Sequence, residues 1–90
     1  MSRSLAASVL DHSKPHHLIV CESHQRCRTS IIPHLLAECV ARGMTGQAFD
    51  RLVVISGDKI VRCCCVHEEA QLKAGATMDW VGHVAPADPT

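Results

Sequence analysis

Hydrophobic positions along the chain change period several times, and each change marks an element. Residues 1–15 are mixed; Leu5, Val9 and Leu10 lie at helical spacing and predict a short helix docking on the core, and Pro15 closes the segment. His17-Leu18-Ile19-Val20-Cys21 is an apolar run rich in β-branched residues between polar flanks, the pattern of a buried strand. Glu22 to Thr29 is polar and reads as a loop. From Ser30 the period becomes helical, with Ile31, Ile32, Leu35, Leu36, Cys39 and Val40 along one stripe. Thr29 or Ser30 can cap this helix, Pro33 is tolerated in its first turn, and Gly43 stops it.

Met44 to Asp50 reads as a connection. Leu52 to Ser56 and Lys59 to Cys65, joined by Gly57-Asp58, predict a hairpin with a type II′ turn. That turn pairs Ser56 with Lys59, Ile55 with Ile60, Val54 with Val61, Val53 with Arg62 and Leu52 with Cys63. Leu52, Val54, Val61, Cys63 and Cys65 then share the core face. Val53, Ile55, Ile60, Arg62 and Cys64 share the other, where Val53, Ile55, Ile60 and Arg62 are the expected surface for a partner. His67 to Ala74 predicts a last helix, with Glu68 and Glu69 near its positive end, Lys73 near its negative end and Gly75 as its stop. The order strand, helix, hairpin, helix implies a two-layer α+β domain with a three-stranded sheet over residues 1–85, followed by a frayed tail, 86–90.

Composition narrows the functions this fold can serve. Nine basic residues balance nine acidic ones, so no broad field draws the chain to nucleic acid or membrane, and one Trp, one Phe and no Tyr leave no stacking platform for bases. No apolar run approaches the roughly 18 residues of a membrane span. The run Leu5 to Leu10 is too short for a secretory signal, which points to the cytoplasm and to cysteines held as thiols or ligands.

Six cysteines and seven histidines in 90 residues are the strongest chemical signal. Thiolate and imidazole are the donors that zinc takes in tetrahedral sites, so if a metal binds, one structural zinc is the ion expected. Two ligand sets are compatible with the spacing. One is local: His17, Cys21, His24 and Cys27. The other joins Cys21 or Cys27 to Cys63, Cys65 and His67. Against both stands a metal-free reading, in which Cys21, Cys39, Cys63 and Cys65 fill the core and the histidines lie at the surface. Cys39, in the middle of the helical stripe, is expected in the core in either case.

Val20-Cys21, followed by Cys27-Arg28-Thr29-Ser30, resembles over about ten residues the phosphate loop of the low-molecular-weight tyrosine phosphatases. The resemblance implies Cys21 as nucleophile and Arg28 as phosphate binder. Six residues separate the two here, one more than that family has; the loop lacks glycine, and Asp88-Pro89 in the tail is the one counterpart of the family's acid segment.

The balance favours a small non-catalytic module that binds another protein, of the inhibitor or accessory-subunit type that phages carry, with one structural zinc. A second copy of the chain is an alternative partner. The runners-up are a nucleic-acid-binding zinc module, using Arg26, Arg28 and the nearby histidines, and a thiol-dependent enzyme built on Cys21 to Arg28.

Overall fold

Five consecutive buried residues, His17 to Cys21, cannot sit on a half-exposed strand; they require cover on both faces. In the computed structural model, which describes residues 4–74 and 79–86, that cover is present. Strand β1 (His16–Cys21) lies inside a five-stranded sheet of order β2-β3-β4-β1-β5, with β2 at Gly46–Phe49, β3 at Leu52–Ile55, β4 at Lys59–Cys65 and β5 at Val81–Val84. It runs parallel to β4 and β5, while β3 pairs antiparallel with β2 and β4.

Helices cover both faces. Ile19, Cys21, Val53, Ile55, Val61 and Cys63 pack against Ala6, Val9 and Leu10 of α1 (Leu5–Leu10) and Ile32, Leu35 and Cys39 of α3 (Ile32–Ala41). Leu18, Val20 and Cys64 face the opposite way, onto Trp80 and onto Leu72 of α4 (Val66–Ala74). The α+β class stands, but the sheet has five strands where the sequence predicted three. The two extra strands carry no apolar alternation in sequence: β2 is exposed at all four positions, and β5 alternates half-buried Val81 and His83 with exposed Gly82 and Val84. Backbone pairing places them, not an apolar pattern.

The long helix begins earlier than its stripe suggested. Ser23, not Thr29 or Ser30, is the cap: its hydroxyl accepts from the Arg26 amide at 3.1 Å and starts α2 (His24–Arg26). A π-helical turn, Cys27–Ile31, then joins α2 to α3, with the Ile32 amide donating to the Cys27 carbonyl five residues back. Pro33 follows at once, in the first turn of α3. A proline ring has no amide and crowds the preceding turn, and the widened π turn makes room for it.

The hairpin also differs from its predicted register, by one residue. Ile55 pairs with Lys59, Val54 with Ile60, Val53 with Val61 and Leu52 with Arg62, leaving a three-residue loop in which Ser56 and Gly57 both take positive φ. A slip of one residue exchanges the faces of a strand. Val53 and Ile55 therefore join the core, each 0% exposed, and do not form a partner surface; Ile60 and Arg62 remain half-buried. Of the expected tail, residues 87–90 lie outside the described residues, as does Gly75.

The slip also buries Lys59. Its ammonium donates to the carbonyls of Val9 (3.0 Å), Leu10 (3.1 Å) and His12 (2.6 Å) at the carboxyl end of α1. Carbonyls at a helix end have no intrahelical donor, and a cation there completes them and meets the negative end of the dipole. Lys59→Met removes the charge and keeps most of the stem. It is expected to lower stability by about 2–3 kcal/mol, read as an earlier urea midpoint with unchanged slope; an unmoved midpoint contradicts this role.

Candidate metal centre

Strands β1 and β4 run in the same direction, with Cys21 opposite Cys65 and Ile19 opposite Cys63. Alternate residues share a face, so Cys21, Cys63 and Cys65 all point toward the layer of α1 and α3 at the carboxyl ends of the two strands. The chain leaves β1 at Cys21, turns through Glu22 and Ser23, and coils back as α2. Cys27, first residue of the π turn, comes down on the same place.

The result is a triad. The sulfurs of Cys21, Cys27 and Cys63 lie within 4.8 Å of one another, and all three residues are buried, at 1%, 0% and 0% exposure. They come from a strand, a helix and a second strand that are separated by up to 42 residues, the interval from Cys21 to Cys63. The surroundings of Cys21 and Cys27 keep both as neutral thiols. The Cys21 thiol is pushed far up, first by its contact with the Cys63 sulfur and then by burial. Burial pushes the Cys27 thiol up to about 12, with the Cys21 sulfur adding to it. Arg26 is the cation that acts on Cys21, but its guanidinium is engaged with Glu22 (3.1 Å) and the Pro86 carbonyl (2.7 Å).

A second group, His24, Cys65 and Glu68, has donor atoms equally close. Its carboxylate is already committed. Glu68 Oε1 accepts from the Cys65 amide at 3.0 Å, which is the return bond of a capping box at the start of α4, and from Arg51 Nη1 at 3.0 Å. Arg51 Nη1 also lies 2.6 Å from His24 Nε2, and His24 Nε2 lies 2.7 Å from Glu68 Oε1. The guanidinium thus supplies the positive charge that a metal would bring, and the group reads as a structural ion cluster tying α2, α4 and the β2–β3 turn. Glu68 is held down to about 2, chiefly by the Cys65 amide and then by His24.

The structure divides the residues that the sequence offered as ligands. Cys21, Cys27 and Cys63 meet; Cys65 lies beside them on β4 but nearer His24 and Glu68. His67 is exposed at the start of α4, its ring 6.2 Å from that of His24. The local set of four fails because His17 is at the opposite end of β1 from Cys21. Cys39 is in the core, as its place in the stripe required, and Cys64 packs on the other face. Sequence spacing could not select the triad, since the contact of Cys27 with Cys63 depends on the parallel pairing of β1 with β4.

His17 has a different partner set. It is 0% exposed, its Nε2 is 2.7 Å from the Lys14 carbonyl and its Nδ1 is 2.9 Å from His83 Nε2 on β5. A carbonyl only accepts, so His17 Nε2 carries the proton and Nδ1 accepts from His83. Burial lowers His17 to about 4, and burial also lowers His83. No family model matches this chain, and no curated protein or solved structure matches it either.

The histidine pair sets an acid limit on the fold. Between the unfolded value of 6.5 and about 4 the unfolded chain binds a proton that folded His17 refuses, so stability falls as pH falls through that window and the loss is complete below it. The full shift corresponds to at most about 3 kcal/mol. Urea midpoints measured from pH 7 to pH 4 are expected to decline, and His17→Gln is expected to flatten the decline; a flat profile in the parent chain contradicts a buried neutral His17.

Proposed function

We propose that the chain is a small binding module in which a thiol-held metal ion fastens β1, the helix after it and β4 together, while its sheet edges meet another protein. The observation that carries this reading is the triad itself: three buried sulfurs, two from a strand and the helical segment that follows it and the third from β4, 42 residues after Cys21. Zinc is the ion proposed, with Cys65 as fourth ligand, because four thiolates complete its tetrahedral shell and Cys65 shares the triad's face of β4.

The partner surface is proposed at the sheet edges. The β3 edge is covered by β2, so the free edges belong to β2 and β5. Phe49 at 52% and Val84 at 80% exposure stand on them. An edge strand offers its backbone groups to an added strand, and apolar side chains there add specificity.

Other readings have less support. Arg28, the phosphate binder of a phosphatase-like loop, pairs with Asp50 at 3.4 Å and is more than half exposed, whereas Cys21 is buried and held as a thiol. The segment after Cys21 is helix from His24 on, which spends the backbone amides that a phosphate loop would present. For a nucleic-acid surface four of the arginines are engaged within the chain: Arg26 with Glu22, Arg28 with Asp50, Arg42 with Asp11 and Glu38, and Arg51 with Glu68. Among the described residues no helix is long and apolar enough to cross a membrane.

Native mass spectrometry of the chain, purified without a histidine tag or chelator and analysed for zinc, tests the metal reading. One zinc per chain is expected, lost in Cys63→Ser and kept in Cys64→Ala, whose sulfur lies on the opposite face. A metal-free folded chain that takes up no zinc on titration contradicts it.

A further inference from the structure

The three sulfurs taken without Cys65 sort ions by coordination number and by charge, and both criteria favour a trivalent three-coordinate centre over zinc. Three sulfurs converge, at 0–1% exposure, and no fourth donor from the Cys, His, Asp or Glu side chains described lies in the same group. The three belong to one buried core cluster with apolar residues that include Ile19, Ile31, Val61 and Leu35. Three thiolates carry three negative charges. With zinc the buried centre keeps a net charge of −1, or −2 with a fourth thiolate; with a monovalent ion it keeps −2. Burying such a charge is costly without a matching cation, and Arg26 is already shared with Glu22. A trivalent centre leaves no net charge.

We propose that Cys21, Cys27 and Cys63 form a binding site for a trivalent thiophilic metalloid, with arsenic(III) as its representative. The proposal rests on the reading of the triad as a metal site and names the ion it prefers. The chemistry balances without a redox partner. Arsenous acid, As(OH)₃, meets three thiols; three As–O bonds break, three As–S bonds form, and each thiol proton leaves with a hydroxide as water. Arsenic stays trivalent and no electron is transferred. The reactant is uncharged at neutral pH and the product is uncharged, so neither approach nor burial requires stripping water from an ion. A trigonal centre also suits donors from three separate elements, each contributing one sulfur.

Cys65 separates this site from the zinc site. Zinc is completed by a fourth thiolate and needs Cys65; arsenic(III) is completed by the triad and does not. The test is native mass spectrometry of the chain after incubation with sodium arsenite, with zinc chloride, and with both at equal concentration. Three proteins are compared: the parent chain, Cys63→Ser and Cys65→Ser. The expected result is an adduct of one arsenic less three hydrogens on the parent and on Cys65→Ser, absent from Cys63→Ser. In competition arsenic is expected to exceed zinc by at least about tenfold, a difference of about 1.4 kcal/mol. Circular dichroism of Cys63→Ser confirms that its loss of arsenic is not loss of fold; if that variant is unfolded, Cys27→Ala serves in its place. Zinc bound and not displaced by arsenite overturns the trivalent preference and leaves the metal reading standing. Uptake of neither ion overturns both. Arsenic retained equally by the triad variants, or adducts of two or more arsenics, assigns the binding to unspecific thiols and overturns the site.

Discussion

The constraint on which the molecule depends is the double-sided burial of β1. A strand whose residues 17–21 are all shielded from water must lie between two strands and between two layers. Parallel pairing with β4 and β5 meets the first condition and the helices the second. Everything functional follows from where that strand ends. Its first turn after Cys21 must coil back over the sheet, which lowers Cys27 onto Cys21, and its neighbour β4 delivers Cys63 to the same spot.

Much of this frame was legible in the residues. The run from His17 to Cys21, the stripe from Ile31 to Val40, the hairpin flanking Gly57 and the dipole-matched charges of α4 each carry a local physical signal, and each element is present. What local signals could not convey is pairing that depends on backbone alone. Gly46–Phe49 has no buried side chain, and in Val81–Val84 the half-buried positions are Val and His while the exposed ones are Gly and Val, so neither shows an apolar strand period in its residue types. The hairpin register was undetermined for another reason: Gly57 permits either a two-residue or a three-residue loop. The burial of Val53 and Ile55 together with Val61 and Cys63 selects the longer one.

The candidate site divides in the same way. The abundance of cysteine was visible in composition, and Cys21, Cys27 and Cys63 stood among the expected ligands. The histidines divide: His24 joins Cys65 and Glu68, whereas His67 is exposed at the start of α4. In the fold His17 is spent on the Lys14 carbonyl and His83, and His24 on Glu68 and Arg51. Each has polar partners, and neither belongs to the triad. The three sulfurs lie together within the apolar core cluster, and buried sulfurs in that setting are at once good core filler and good ligands. The triad can serve both ends: a packed core when empty and a crosslink when an ion is held.

The account's central claim is that the chain binds a soft ion through sulfur alone, and not through the nearby cluster of His24, Cys65 and Glu68 acting together. X-ray absorption at the zinc edge of the zinc-loaded chain tests this most directly. A shell of sulfur only, at about 2.3 Å, is the predicted result. A shell containing nitrogen or oxygen at about 2.0–2.2 Å would place the ion on His24 and Glu68, displacing Arg51, and would contradict the claim.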